Sequence, residues 1–259
     1  MFEPEAAALA AGPLPKGKLG LIIDIGGGTS DFSVFERDGD DTRIIASHGV
    51  RVGGTDFDKA ISISRVMPLL GRGGEIKNEI GDGRHTAPSG IFNDLASWEK
   101  IPFLYTGEMR RLAARFHRLG VPPEVFKRLS DVLELELGHD IAFAVEAGKI
   151  RVNAPNAHEA AIDLRIIEKH LWARLDADDL QRILADHAQT IHAAAIQTLR
   201  GANLSADQIG QIVFVGGSSL MAVIEDTMVR LFPHATLERT EAFTAVADGL
   251  AIAASKLRW

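Results

Sequence analysis

Three consecutive glycines, Gly26, Gly27 and Gly28, separate two β-rich segments and constrain the fold of this chain more than any other feature. The apolar residues 19–23 precede them, and residues 31–36 mix apolar with polar positions after them. Because glycine has no Cβ, the backbone can turn sharply here and direct successive N–H groups at an anion. The pattern therefore predicts a strand-turn-strand hairpin whose tip can bind phosphate.

Two common nucleotide motifs do not fit this turn. A dinucleotide fingerprint has a further glycine where Asp31 stands, and a P-loop closes with Gly-Lys-Ser/Thr, which is absent here. Thr29 adds a hydroxyl, and Asp24 and Asp31 add carboxylates that can hold hydrated Mg²⁺. Glycine-rich turns are also common in hairpins that bind nothing. The hairpin alone therefore leaves a phosphate site and a plain turn as alternatives.

Composition excludes several functional classes. The chain has 259 residues, 46% of them hydrophobic, a net charge of −7 and no cysteine. Disulfides and thiol chemistry are therefore excluded, and no basic footprint for nucleic acid or membrane is present. The first residues carry acids where a signal peptide needs positive charge, and no apolar run reaches membrane-spanning length. We expect a cytoplasmic protein.

Hydrophobic patterns predict an α/β fold in which helices flank a mixed sheet. Predicted strands cover residues 19–23, 31–36, 42–49, 211–215 and 235–238, with a hairpin within 162–175; predicted helices cover 108–119, 123–137, 140–152 and a long span from Asp176 to Gly201, with a last helix from Thr240. Residues 71–107 are rich in glycine, and we expect an excursion with little regular structure. These elements predict a core lobe of residues 1–66 and 201–259, and an inserted, mostly helical subdomain of 67–200.

Five segments in the same order resemble motifs of the heat-shock chaperone (DnaK) family of actin-like ATPases. The segments are 3–10 (first connecting motif), 24–31 (second phosphate motif), 53–58 (double-glycine phosphate loop), 213–219 (adenosine motif) and 245–251 (second connecting helix). The resemblance implies a ribonuclease H-like lobe that binds ATP or ADP with Mg²⁺. Nothing in the chain resembles the family's first lobe, so we expect a fragment that hydrolyses ATP only with that lobe.

The resemblance also implies roles for individual residues. The implied catalytic residues are Glu3, Asp24, Thr29 and Asp31, of which Glu3 and Asp24 hold Mg²⁺ through water. The implied nucleotide contacts are Gly26, Gly27, Gly28, Gly53, Gly54, Glu146, Lys149, Ile150, Asn153, Gly216, Gly217, Ser218 and Leu220. From spacing alone, Glu146 and Lys149 form a surface ion pair on one helix face. The implied partners are the nucleotide, the first lobe, and client or co-chaperone proteins.

Departures from the family pattern support a second interpretation. Ile150 and Leu220 stand where the family has arginines, and Phe243 replaces an acid. Together with residues 67–75, these changes resemble the divergent YegD branch. The alternative to an ATP-binding half is therefore a protein-interaction module with a decayed nucleotide site. A sugar or acetate kinase on the same fold would need acceptor-binding residues that the sequence does not reveal.

Overall fold

The structure, a computed structural model, describes residues 3–38, 41–157 and 159–239. In chain order, its elements are α1 (Glu3–Ala10), β1 (Leu19–Ile25), β2 (Ser30–Asp38), β3 (Asp41–Val50), α2 (Gly54–Ile61), β4 (Glu75–Lys77), β5 (Arg84–Thr86), α3 (Gly90–Leu95), α4 (Gly107–Leu119), β6 (Gly120–Val121), α5 (Pro123–Glu134), α6 (Gly138–Asn153), β7 (Glu159–Asp163), β8 (Trp172–Asp176), α7 (Ala177–Ile183), α8 (Ala185–Gly201), β9 (Ile209–Val215), α9 (Ala222–Leu231) and β10 (Thr236–Arg239). Short turns of π-helix (Ser62–Val66) and 3₁₀ helix (Met67–Leu70, Trp98–Leu104, Ala206–Gln208, Gly217–Leu220) connect some of them.

Residue contacts divide the chain into two compact units. The first, called here the sheet unit, comprises the chain up to Gly54 and from Ala185 onward; the second, the helical unit, is Thr55–Leu184. The lobe boundaries at residues 66 and 200 stay a prediction.

The sheet unit is built on a mixed sheet with the strand order β10-β9-β1-β2-β3. β1 pairs antiparallel with β2 and parallel with β9, and β2 continues antiparallel into β3. Every residue of β9 is buried, and its sequence is apolar apart from Gln211, whose side-chain amide donates to Glu238 Oε1 at 2.9 Å. On one face, small residues of α1 let the helix approach the sheet closely; this cluster contains Ala7, Ala8, Ala11, Ile22, Phe35, Val213 and Val215. The predicted α/β class with helices around a mixed sheet is confirmed.

The helical unit contains an α4–α5 pair, the long helix α6 and a β7–β8 hairpin packed against α6. Phe116 of α4 and Phe126 of α5 meet edge to face, with ring centroids 6.2 Å apart. The predicted helices 108–119 and 140–152 and the predicted hairpin are confirmed within a few residues. Among the described residues, no helix combines the length and the apolar character needed to cross a bilayer.

Two expectations about local structure are wrong. Residues 71–107 contain β4, β5, α3 and the 3₁₀ helix Trp98–Leu104, elements too short to produce a clear hydrophobic period. The second wrong expectation is one long helix from Asp176 to Gly201. The structure has two helices there, because α7 ends at Ile183 and α8 begins at Ala185. Its predicted N-terminal capping box, Asp176 with Asp179, is present. The predicted helix from Thr240 lies outside the described residues.

Candidate functional site

The glycine turn between β1 and β2 forms the centre of the candidate site. Ile25 pairs with Ser30 across the hairpin, and the N–H of Gly26 donates to the carbonyl of Thr29 at 3.0 Å, which closes the turn. Gly26, Gly27, Gly28 and Thr29 are all exposed. The predicted hairpin is therefore present, and its tip is accessible to a ligand.

The second glycine segment packs directly on this turn. Gly53 and Gly54 follow β3, and the N–H of Gly54 donates to the carbonyl of Gly26 at 2.9 Å. A Cβ on Gly53 would lie 2.5 Å from the carbonyl oxygen of Gly27 and 2.6 Å from the amide nitrogen of Gly28. Since both of those are backbone atoms that cannot move aside, the contact requires glycine at position 53.

The third segment, Gly216 to Ser218, follows β9 and reaches the same end of the sheet. Parallel pairing places Val215 beside Asp24, and Gly216 has a φ of 81°, in the left-handed region. A Cβ on Gly216 would lie 2.5 Å from the carbonyl oxygen of Ile25, and one on Gly54 would lie 2.4 Å from Ser218 Oγ. Three segments that are far apart in the chain thus converge within the sheet unit.

Two carboxylates stand beside the converging turns. Asp24 and Asp31 are directly opposed on β1 and β2, so their side chains project from the same face of the sheet. Both line a cavity of about 320 Å³ that also includes Pro4 of α1, Ser33 and His48. A Cβ on Gly49 would lie 2.6 Å from Asp31 Oδ1, so the glycine makes room for that carboxylate.

The donor chemistry at this cavity fits a hydrated Mg²⁺. Like charges on opposed strand positions repel, and a cation beside them relieves that cost. The described residues include no group of three or more His, Cys, Asp or Glu side chains suited to enclose a metal. Mg²⁺ commonly keeps several of its waters and takes only one or two protein carboxylates. Asp24 and Asp31 match that number of carboxylates.

The residues predicted to contact ribose lie on α6, in the helical unit. Lys149 is only 5% exposed, and its Nζ lies 2.9 Å from Asp58 Oδ1, so this ammonium already has a carboxylate partner. Burial raises the pKa of the Asp58 carboxyl, the charge of Lys149 opposes that rise, and Glu146 adds to it. Sequence reasoning missed Asp58 as a partner, although it lies in the Gly-Gly-Thr-Asp-Phe-Asp segment at 53–58.

The remaining predicted site residues belong to different units. Ile150 is 60% exposed on α6, and Asn153 is half-buried at the end of that helix. Leu220 is half-buried at the end of the 3₁₀ turn Gly217–Leu220, in the sheet unit. The side chain of Glu3 and all of Phe243 lie outside what the structure describes.

Comparison with known proteins identifies relatives of the chain. The profile of the Hsp70 protein family matches residues 137–258. A chaperone protein DnaK of Thermosipho melanesiensis is 26% identical over 258 residues, which cover 98% of this chain and 35% of that protein. The chain thus spans about a third of the length of this curated relative. The resemblance to the heat-shock chaperone family is confirmed; the YegD branch stays a prediction.

Proposed function

We propose that the chain forms the second, nucleotide-binding half of an Hsp70-like ATPase, because it is similar to a DnaK chaperone over 98% of its residues. The observation that carries the proposal is the convergence of the segments at 26–28, 53–54 and 216–218 around one turn. Exposed backbone amides in such a turn suit the oxygens of a polyphosphate. A hairpin that binds nothing would not need a second glycine segment, at 53–54, packed against its turn.

Each part of the nucleotide then has a proposed partner. Amides at 26–29 bind phosphate oxygens, and the hydroxyl of Thr29 orients the terminal phosphate. Asp24 holds Mg²⁺ through water, assisted by Asp31 and by Glu3. A bound Mg²⁺ would supply charge neutralisation of the phosphates. Contacts to the ribose come from Glu146, with Lys149 positioned by Asp58.

We propose that hydrolysis needs the family's first lobe as well. Phosphoryl transfer depends on charges that surround the transferred group, and the proposed set here is rich in carboxylates and backbone amides without a lysine aimed at the phosphate. In the complete protein, the partners proposed are that lobe and client or co-chaperone proteins.

The test compares two aspartates in the complete gene product. Asp24→Asn should lower kcat for ATP by at least about 10-fold, which corresponds to about 1.4 kcal/mol. Asp82→Asn, in an exposed loop of the helical unit, serves as the matched control and should leave kcat unchanged. An Asp24→Asn protein with the wild-type kcat contradicts the proposed role.

A second candidate function is a protein-interaction module whose nucleotide site has decayed. The observation in its favour is that Lys149 is already paired with Asp58, while the aliphatic Ile150 and Leu220 replace the family's arginines. Calorimetric titration of the complete gene product with MgATP separates the two functions. If the wild-type protein binds no nucleotide, the interaction module is the better account.

A further inference from the structure

A second cavity, of about 250 Å³, lies entirely within the helical unit. Of its lining residues, only Thr55 and Asp58 belong to one of the five family motifs. Its walls come from α2 and the following π turn, from the end of α3 and the start of the 3₁₀ helix at Trp98, and from α6. The lining residues are Thr55, Asp58, Ser62, Leu95, Ala96, Trp98, Ile141, Ala142, Phe143, Val145 and Glu146. Aliphatic side chains and two carboxylates thus share one small space.

Two aromatic rings of this cavity remain partly exposed. Trp98 is 41% and Phe143 56% exposed, although both could gain free energy by burial. Their ring centroids are 5.2 Å apart and the ring planes lie at 75°, so the rings form a corner and not a parallel stack. Trp98 also contacts His139 edge to face, at 4.6 Å, which holds the indole against α6. Exposed aromatic faces attract cations through the ring quadrupole.

The charges at the cavity also favour a cation as its ligand. Asp58 and Glu146 both line it, and Lys149 neutralises only Asp58. Glu146 is exposed, and no ion pair joins it to another residue in the described part of the chain. It lies three residues after Phe143 on α6, so the carboxylate and the ring occupy one face of the helix. One negative charge therefore remains beside the aromatic corner.

We propose that this cavity binds a small organic monocation, an alkylammonium or guanidinium head group. The cation packs against the rings of Trp98 and Phe143, and Glu146 balances its charge. An anionic ligand would meet Glu146 with like charge, and a neutral ligand would lack the charge–charge attraction to the carboxylate. The volume fits a head group better than a drug-sized molecule, which needs about 300–1,000 Å³. Trp98 and Phe143 have no part in the proposed nucleotide contacts, whereas Glu146 is shared with the ribose contact, so cation binding is measured without nucleotide.

The test uses charged and neutral probes of equal shape. Calorimetry or NMR titration of the chain with choline and with its neutral isostere 3,3-dimethyl-1-butanol measures the charge requirement. Methylguanidinium tests a free guanidinium, and Nα-acetyl-arginine amide tests a guanidinium carried by a polypeptide. We expect saturable binding of a cation at least about fivefold tighter than that of the isostere. Equal affinity for the isostere, or no saturation by any cation up to about 20 mM, overturns the proposal.

Variants locate the site. Trp98→Leu, Phe143→Leu and Glu146→Gln should each weaken cation binding at least about fivefold. Trp172→Leu is the matched control, because Trp172 is similarly exposed, at 42%, but lies on β8 beneath Arg165. If Trp98→Leu fails to fold, Trp98→Phe and Glu146→Gln carry the test. Wild-type affinity in all the cavity variants, or a loss in Trp172→Leu equal to theirs, overturns the assignment.

Discussion

Lys149 Nζ lies 2.9 Å from Asp58 Oδ1, and the two side chains are only 6% and 21% exposed. This ion pair joins α6 to α2 inside the helical unit. Removing either partner leaves the other charge in a poorly hydrated place, a larger cost than breaking a surface pair. Loss of either partner alone should therefore destabilise the unit, whatever Lys149 contributes to a nucleotide.

The first prediction concerns this pair directly. Lys149→Met should lower the free energy of unfolding by about 2 kcal/mol, because Asp58 loses its counter-ion. Lys127→Met is the matched control, since Lys127 pairs with Asp131 on a solvent-exposed helix face, and we expect a change within about 0.5 kcal/mol. Urea unfolding measures both. Equal effects of the two variants would mean that the Lys149 pair is worth no more than a surface pair.

The second prediction is the pH dependence of Asp58. Because burial raises the pKa of its carboxyl above the ordinary 3.8, the folded chain holds a proton there at pH values where the unfolded chain has lost it. The contribution of Asp58 to stability is then fully present below about pH 3.8 and declines as the pH rises through the folded pKa. The uncharged Asp58→Asn variant lacks this decline.

Urea unfolding of both proteins across about pH 3.5 to 7 checks this sign. The free energy of unfolding of wild type minus that of Asp58→Asn should fall as the pH rises. A difference that grows with pH would show that Lys149 lowers the pKa more than burial raises it.

The third prediction tests the packing of the glycine segments. A Cβ on Gly53 meets backbone atoms of the neighbouring turn at 2.5 Å, so Gly53→Ala should destabilise the chain by about 1–3 kcal/mol. The space around a Cβ at Gly217 is open to 4 Å, and Gly217→Ala should stay within about 0.5 kcal/mol of wild type. Thermal or urea unfolding compares them. Equal stability of both variants would mean that the turns at 26–28 and 53–54 are not in tight contact.

The fourth prediction concerns adenine recognition. Arginine planes stack on bases and add a cation–π contribution of about 0.5–2 kcal/mol, which aliphatic side chains lack. Ile150→Arg and Leu220→Arg should therefore strengthen ATP binding relative to tripolyphosphate by about two- to tenfold in the complete gene product. Calorimetry with ATP, GTP and tripolyphosphate measures the change. If neither variant gains a preference for adenine, these positions do not contact the base.

The sequence by itself determined the features that depend on neighbouring residues. The hairpin at Gly26 to Gly28 was predictable because three residues without Cβ separate two β-rich segments. The capping box of Asp176 and Asp179 was predictable because two acidic side chains three positions apart bond to each other's backbone N–H groups at a helix start. Five ordered motifs also sufficed to indicate the heat-shock chaperone family. Short elements such as β4, and the break between two helices at Leu184, were not predicted, since neither produces a clear hydrophobic period in the sequence.

Only the tertiary structure decided which distant residues meet. Gly54 lies 28 positions after Gly26, yet its amide donates to the Gly26 carbonyl because β1 and β3 both pair with β2. Spacing on one helix suggested Glu146 as the partner of Lys149, whereas packing of α6 against α2 brings Asp58 to its ammonium. Partner choice here depends on burial and strand pairing. Both are properties of the folded chain that no local pattern encodes.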